Sequence, residues 1–195
     1  MSDYFERIAG EWSERAAELS TWFYTHMVNR TDIWGRYLKE KYRGESNQGT
    51  PKNKAITAPF SRERGKIFLQ KSSLEKHFRA GDGGGVLGLH SSSAEGTSRW
   101  MAIDIDLHDD DDLSVTKEGN FVAAKAWWQQ LKDMGFDPLL MDSNGKGGFH
   151  LFAFFSKPMA SKSVRAFCEQ LVSNYGKYGL DDPPDLFPGL SLIHI

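Results

Sequence analysis

The sequence predicts an α+β protein whose second half is a split βαβ, ferredoxin-like unit, and three observations predict it. Residues 99–108 alternate strictly, with Met101, Ile103, Ile105 and Leu107 on one face and Trp100, Ala102, Asp104, Asp106 and His108 on the other. Two later segments keep a helical period instead: Phe121, Ala124, Trp128, Leu131 and Met134 in the first, and Val164, Phe167, Cys168, Leu171, Val172 and Tyr175 in the second. Short β-rich runs bounded by turn residues fill the remaining places, Pro138–Asp142, Phe149–Phe155 and Leu186–Ile195. The order is β-α-β-β-α-β.

The elements follow from the N-terminus. Residues 3 to about 43 read as helical, because Phe5, Ile8, Trp12, Ala16, Leu19, Trp22 and Phe23 recur at helical spacing and a second helix starts near Thr31-Asp32. Gly44–Asn53 is a polar connection. Ile67–Leu69 reads as a short strand, Ser72–Phe78 as a short helix opened by a serine cap, Gly81–Gly85 as a loop and Val86–His90 as a strand. Asn120 is expected to cap the next helix, which ends at Gly135. Ser143–Gly148 is a tight turn containing Asn-Gly, and Ser161–Tyr175 is the last helix before Asp181–Pro184 breaks the chain.

Composition bounds the function without choosing it. The chain has 195 residues, 39% of them hydrophobic, with 24 basic against 26 acidic side chains. Bulk charge therefore neither demands nor excludes a nucleic-acid partner, and any basic surface has to be local. The apolar runs fall short of the roughly 20 residues needed to cross a bilayer, and the N-terminal residues lack the pattern of a secretory signal. A cytoplasmic protein with no membrane partner is expected. Cys168 is the single cysteine, which excludes an internal disulfide and reads as a buried thiol on a helix face.

The chemistry lies in two motifs and a third carboxylate. In a split βαβ sheet the first strand is central, flanked by the third and fourth, both antiparallel to it. The end of strand one, with Asp104, Asp106 and His108, should thus meet the start of strand three, with His150, and the start of strand four, with Asp185. Carboxylates at i and i+2 of a strand share a face, with Cα atoms about 6–7 Å apart given the rise of about 3.3 Å per residue. Such a pair repels itself unless a cation sits between. Mg²⁺ takes one or two carboxylates plus substrate phosphates, and paired ions serve phosphoryl transfer. Asp109–Asp112 reads as a solvated loop, and the sequence does not decide a role for His108. The second motif is Ser143-Asn144-Gly145-Lys146-Gly147-Gly148-Phe149-His150. Its glycines let phosphate approach backbone N–H groups, Lys146 brings a point charge, Ser143 a hydroxyl and His150 an imidazole.

At these residues the chain resembles the archaeo-eukaryotic primases, the primase-polymerase superfamily, with an hDhD strand at Met101–Asp106, an S-x-G-x-G-x-H-like turn at Ser143–His150, and a later carboxylate in Pro184-Asp185-Leu186-Phe187-Pro188. Asn29–Gly35, Ala58-Pro59-Phe60 with Arg64-Gly65-Lys66, and His77-Phe78 are similar to primase domains of TOTE-type conflict systems. The resemblance implies an RRM-like catalytic unit packed on an N-terminal helical/αβ unit. The division expected is a helical segment over 1–45 and a catalytic core over 46–195, made of a small unit (46–98) and the palm (99–195). It implies DNA-directed primase/polymerase activity with Mg²⁺ or Mn²⁺, NTP or dNTP substrates, a single-stranded template, and a helicase or nuclease partner. By position, Asp104, Asp106 and Asp185 would be catalytic metal ligands, and Ser143, Lys146 and His150 would hold the triphosphate. Arg30, Arg36, Arg62, Arg64 and Lys66 are the basic candidates for template contact. After Phe187-Pro188 the sequence departs from the family pattern, so the palm is expected to be truncated at its C-terminus. Two other readings stand beside it: a metal-dependent phosphodiesterase or nuclease using the same carboxylates, and a non-catalytic module that binds single strands through exposed aromatics of the sheet.

Overall fold

The computed structural model describes residues 2–37, 44–45, 51–52, 55–57, 60–61, 65–79, 87–106, 117–143, 147–189 and 192–194. The chain divides into one unit of residues 1–90 with 191–195 and a second of residues 91–190.

The first unit holds helices α1 (Ser2–Glu14), α2 (Ala16–His26) and α3 (Lys71–Phe78), with strands β1 (Trp34–Tyr37), β2 (Gly44–Glu45), β3 (Pro51–Lys52), β4 (Ala55–Thr57), β5 (Phe60–Ser61), β6 (Gly65–Lys66) and β7 (Leu87–His90). The strand β12 (Leu192–His194) returns from the C-terminus to complete a four-stranded sheet in the order β12-β7-β1-β4, with every pairing antiparallel. The pairs β2-β3 and β5-β6 form separate two-stranded ribbons.

Among the described residues of this stretch, helical structure ends at His26, and β1 occupies residues 34–37, where the second helix expected near Thr31-Asp32 would run. The reason is tertiary. β1 bonds to a strand on each side, and the Trp34 indole is buried with Nε1 donating to the Ile67 carbonyl at 2.9 Å. Ile67–Leu69 is no strand either. It is held by single bonds, among them Leu69 N–H to the Thr31 carbonyl at 2.8 Å. The serine cap on α3 is also absent: Gln70 stands at the N-cap without a side-chain bond. Ala16, Ser20 and Met27 are buried, whereas Trp12 and Trp22 of the expected apolar stripe are exposed.

The Arg30 guanidinium forks onto Asp32, with Nε to Oδ1 and Nη2 to Oδ2 both at 2.7 Å, and Lys66 Nζ adds a third contact at 3.2 Å. Arg30 chiefly, and Lys66 after it, hold the Asp32 carboxyl well below the usual carboxylate range, against the opposing effect of burial. A depressed folded-state pKa means stability present above the unfolded value of about 3.9 and lost as pH falls below it. Asp32→Asn is therefore expected to flatten the loss of stability between about pH 5 and pH 2, measured by urea unfolding. An equally steep acid loss in the variant would remove this ion pair as its cause.

The second unit follows the order expected of it: β8 (Thr97–Ile105), α4 (Lys117–Asp133), β9 (Leu139–Asp142), β10 (Phe149–Ala160), α5 (Ser161–Leu171), a 3₁₀ turn (Tyr175–Tyr178) and β11 (Asp185–Phe187). Its sheet is antiparallel in the order β11-β8-β10-β9, so the first strand is central between the fourth and the third. β10 runs past Phe155 to Ala160 because it re-pairs with Ser98 and Thr97 after a register shift between Phe154 and Met159. The fourth strand is short, and residues 192–194 belong to the other unit's sheet.

Both helices cover one face. Met101, Ile103, Ile105, Leu151, Ala153 and Leu186 of the sheet pack with Ala123, Ala124, Trp127 and Leu131 of α4 and Val164, Cys168 and Leu171 of α5. Cys168 is buried, its Sγ 3.7 Å from the Phe187 carbonyl, and burial pushes the thiol up to about 12. It is inert as a nucleophile.

Candidate nucleotidyl-transfer site

The face of the second unit's sheet away from the helices grades from apolar to acidic along β8. Trp100 and Ala102 are fully buried, Asp104 is half-buried, and Asp106, one residue past the strand end, is exposed. Strand alternation explains the common face, but only half of it is open. On β10, Phe152 is fully buried, its ring 5.9 Å from Trp100, 6.0 Å from His150 and 6.3 Å from Phe154. These aromatics form an apolar floor immediately next to the polar groups.

Across the strands the register places His150 opposite Asp104 on one side and Asp185 opposite Asp104 on the other. Directly opposed residues of an antiparallel sheet share a face, with Cβ atoms about 4.5–5.5 Å apart. An imidazole and two carboxylates drawn from three strands thus form one row. His150 Nε2 lies 3.0 Å from Asp104 Oδ1, with side chains only 15% and 16% exposed. The contact is one of proximity, not of a directed bond: Oδ1 is buried and accepts no hydrogen bond. A buried carboxylate oxygen left without a donor is costly, and a cation is one remedy. Among the described residues no three His, Cys, Asp or Glu side chains converge as a ready metal cage. The donor set itself, hard carboxylate oxygens on one sheet face, suits Mg²⁺ or Mn²⁺.

The glycine turn is closed by Ser143 N–H donating to the Gly148 carbonyl at 3.0 Å, and Gly147 sits at φ +115°, a backbone conformation that favours glycine. Lys146 lies outside the described residues, as do His108, Asp109–Asp112, Arg62 and Arg64. Arg36 is on β1, and Arg30 is engaged by Asp32. Lys66 Nζ contacts Asp32 and lies 5.9 Å from the centroid of the half-exposed Phe68 ring.

Against this geometry stands one sequence comparison: the family model "TOTE conflict system, Archaeo-Eukaryotic Primase domain" matches residues 21–182. The chain belongs to this primase family. No curated protein matches the chain. Among solved structures it is similar to the polymerase domain of Mycobacterium tuberculosis ligase D, solved in complex with DNA, at 14% identity and a TM-score of 0.48 over 87% of this chain. The chain spans 63% of the length of that domain. No helix among the described residues is long and apolar enough to cross a membrane.

Sequence reasoning about this primase domain missed one residue at the site. Asn120 is no helix cap. It lies inside α4, fully buried, and its Nδ2 donates to the carbonyls of Asp106 (3.2 Å) and Gly147 (3.0 Å). Nothing local distinguishes it from a capping asparagine, because both carbonyls come from segments distant in sequence.

Proposed function

We propose that the second unit is an RRM-like palm that performs template-directed nucleotidyl transfer as a DNA primase/polymerase. The observation that carries this reading is the His150–Asp104–Asp185 row, set by strand register at the end of a carboxylate-bearing central strand. Asp104, Asp106 and Asp185 would hold Mg²⁺ or Mn²⁺, the buried Oδ1 of Asp104 being the donor with an unmet need. When bound, such ions neutralise charge developing on the phosphoryl oxygens and on the attacking and leaving oxygens.

The remaining work falls to the chain's own groups. His150, beside the carboxylates on the adjacent strand, orients the triphosphate of an incoming NTP or dNTP, with Ser143 and Lys146 at the turn leading into β10. In-line geometry between a 3′-hydroxyl and the α-phosphate supplies much of the acceleration, since fixing reactants saves translational and rotational entropy. Trp100, Phe152 and Phe187, all buried on this face, fix the floor that sets these positions. Local basic residues such as Lys66 are assigned to the single-stranded template, where contact is electrostatic and salt-sensitive. A helicase or nuclease as a working partner belongs to the same proposal.

The test is extension and de novo synthesis on a single-stranded template with Mg²⁺ or Mn²⁺, alongside direct triphosphate binding. Wild type should bind and incorporate nucleotides, and Asp104→Ala/Asp106→Ala should bind metal-triphosphate weakly and incorporate none. Synthesis by the double variant, or strand cleavage by wild type without added nucleotide, would overturn the reading.

A further inference from the structure

Asn120 is a buried amide placed where an α-helix disfavours it, and only half of its hydrogen-bonding capacity is used. Nδ2 makes two bonds, to residues 14 and 27 positions away, while Oδ1 is buried with no hydrogen-bond partner. Two carbonyl acceptors leave no choice about which way the amide faces, because only its nitrogen donates. The two acceptors are not arbitrary points. One is the carbonyl of Asp106, a carboxylate of the central-strand pair. The other is the carbonyl of Gly147, in the turn that delivers Phe149 and His150 to β10. Gly147 stands at φ +115°, and the Asn120 bond to its carbonyl lies beside the Ser143 N–H bond to the Gly148 carbonyl, so both hold the side of the turn that enters β10.

We propose that Asn120 is a positioning residue that clamps the carboxylate strand end to the glycine turn and so sets the separation between metal-binding and triphosphate-binding groups. The functional half of this inference rests on the nucleotidyl-transfer reading; the clamp itself does not. Displacing a reacting group by about 1 Å can cost on the order of 100-fold in rate, and two donor bonds from one rigid helix resist such a shift. A residue serving only to hold α4 on the sheet would not select these two acceptors, since Ala123, Ala124 and Trp127 already bury that helix.

The test compares Asn120→Asp, which is isosteric but lacks the donor, and Asn120→Ser with Asn174→Ala. Asn174 makes a bridge of similar kind elsewhere in the same unit, accepting from Trp127 Nε1 at 3.2 Å and donating to the Tyr178 hydroxyl at 3.3 Å. Amide hydrogen exchange should accelerate at Gly147–Phe149 and Asp106 by about tenfold more than at Ile103 and Leu151 in the Asn120 variants, because local opening is then uncoupled from global unfolding. Asn174→Ala should show no such local difference. Where wild type incorporates nucleotides, the Asn120 variants should lose kcat by about 10- to 100-fold with a smaller change in KM. A drop in active fraction with both constants intact would indicate a structural role. Uniform exchange in both Asn120 variants, or failure of both to fold, would overturn the clamp. A wild type that binds no triphosphate would sink the nucleotidyl-transfer reading while leaving the exchange result to decide the clamp.

Discussion

Asp104→Asn is expected to cut nucleotide incorporation by on the order of 1,000-fold, the loss that accompanies about 4 kcal/mol of charge stabilisation at 1.36 kcal/mol per tenfold. Asp104 is the hub: His150 and Asp185 oppose it on either side, and Asp106 follows it by two residues. The amide keeps the shape and the contact with His150 but removes the charge. The same change should leave the protein at least as stable in EDTA, because it relieves repulsion among carboxylates on one sheet face. Wild type should gain thermal stability with Mn²⁺, by about 2.7 kcal/mol at a concentration of 100 Kd, and the variant should gain little. The opposite movement of activity and stability would mark a functional charge. Equal Mn²⁺ stabilisation of both proteins would remove Asp104 from the metal site.

Phe152→Ala should produce a large loss of stability in the second unit. The ring is fully buried against Trp100, His150 and Phe154, on the face opposite the helix-covered core. Removing it costs about 3–5 kcal/mol through lost transfer energy and a residual cavity, which in a chain of this size lowers the Tm by roughly 6–20 °C. The cavity would lie directly under the imidazole, so triphosphate affinity should fall even at temperatures where the variant is folded. Phe152→Leu should recover most of the stability. Calorimetry and triphosphate titration together check both effects, and a variant with unchanged Tm would mean that the ring is not part of the core.

The strong periodicities of the second half made its elements legible. β8 alternates because one face meets α4 and α5, and α4 and α5 carry helical stripes because they lie on that face. Asp104, Asp106, His150 and the glycine turn stood out for the same reason: acidic residues and glycines are unusual in strands and demand a cause. The N-terminal half was read less well. Trp34 and its neighbours form a central strand where the spacing predicted a helix, since the partners β4 and β7 come from residues 18 or more positions downstream. Local propensity is a weak prior against such long-range pairing.

By itself the sequence determined which residue types this protein has for chemistry and which faces of its strands and helices they occupy, because side-chain periodicity depends only on local backbone geometry. Only the tertiary structure decided who meets whom. Register across β11, β8 and β10 put Asp185 and His150 on either side of Asp104, and the close of α4 onto the sheet brought Asn120 to the carbonyls of Asp106 and Gly147. Those contacts join segments separated by up to 81 positions, between Asp104 and Asp185. No local rule specifies them. They follow from burying a shared apolar face, which selects the strand register that puts the apolar side chains on it.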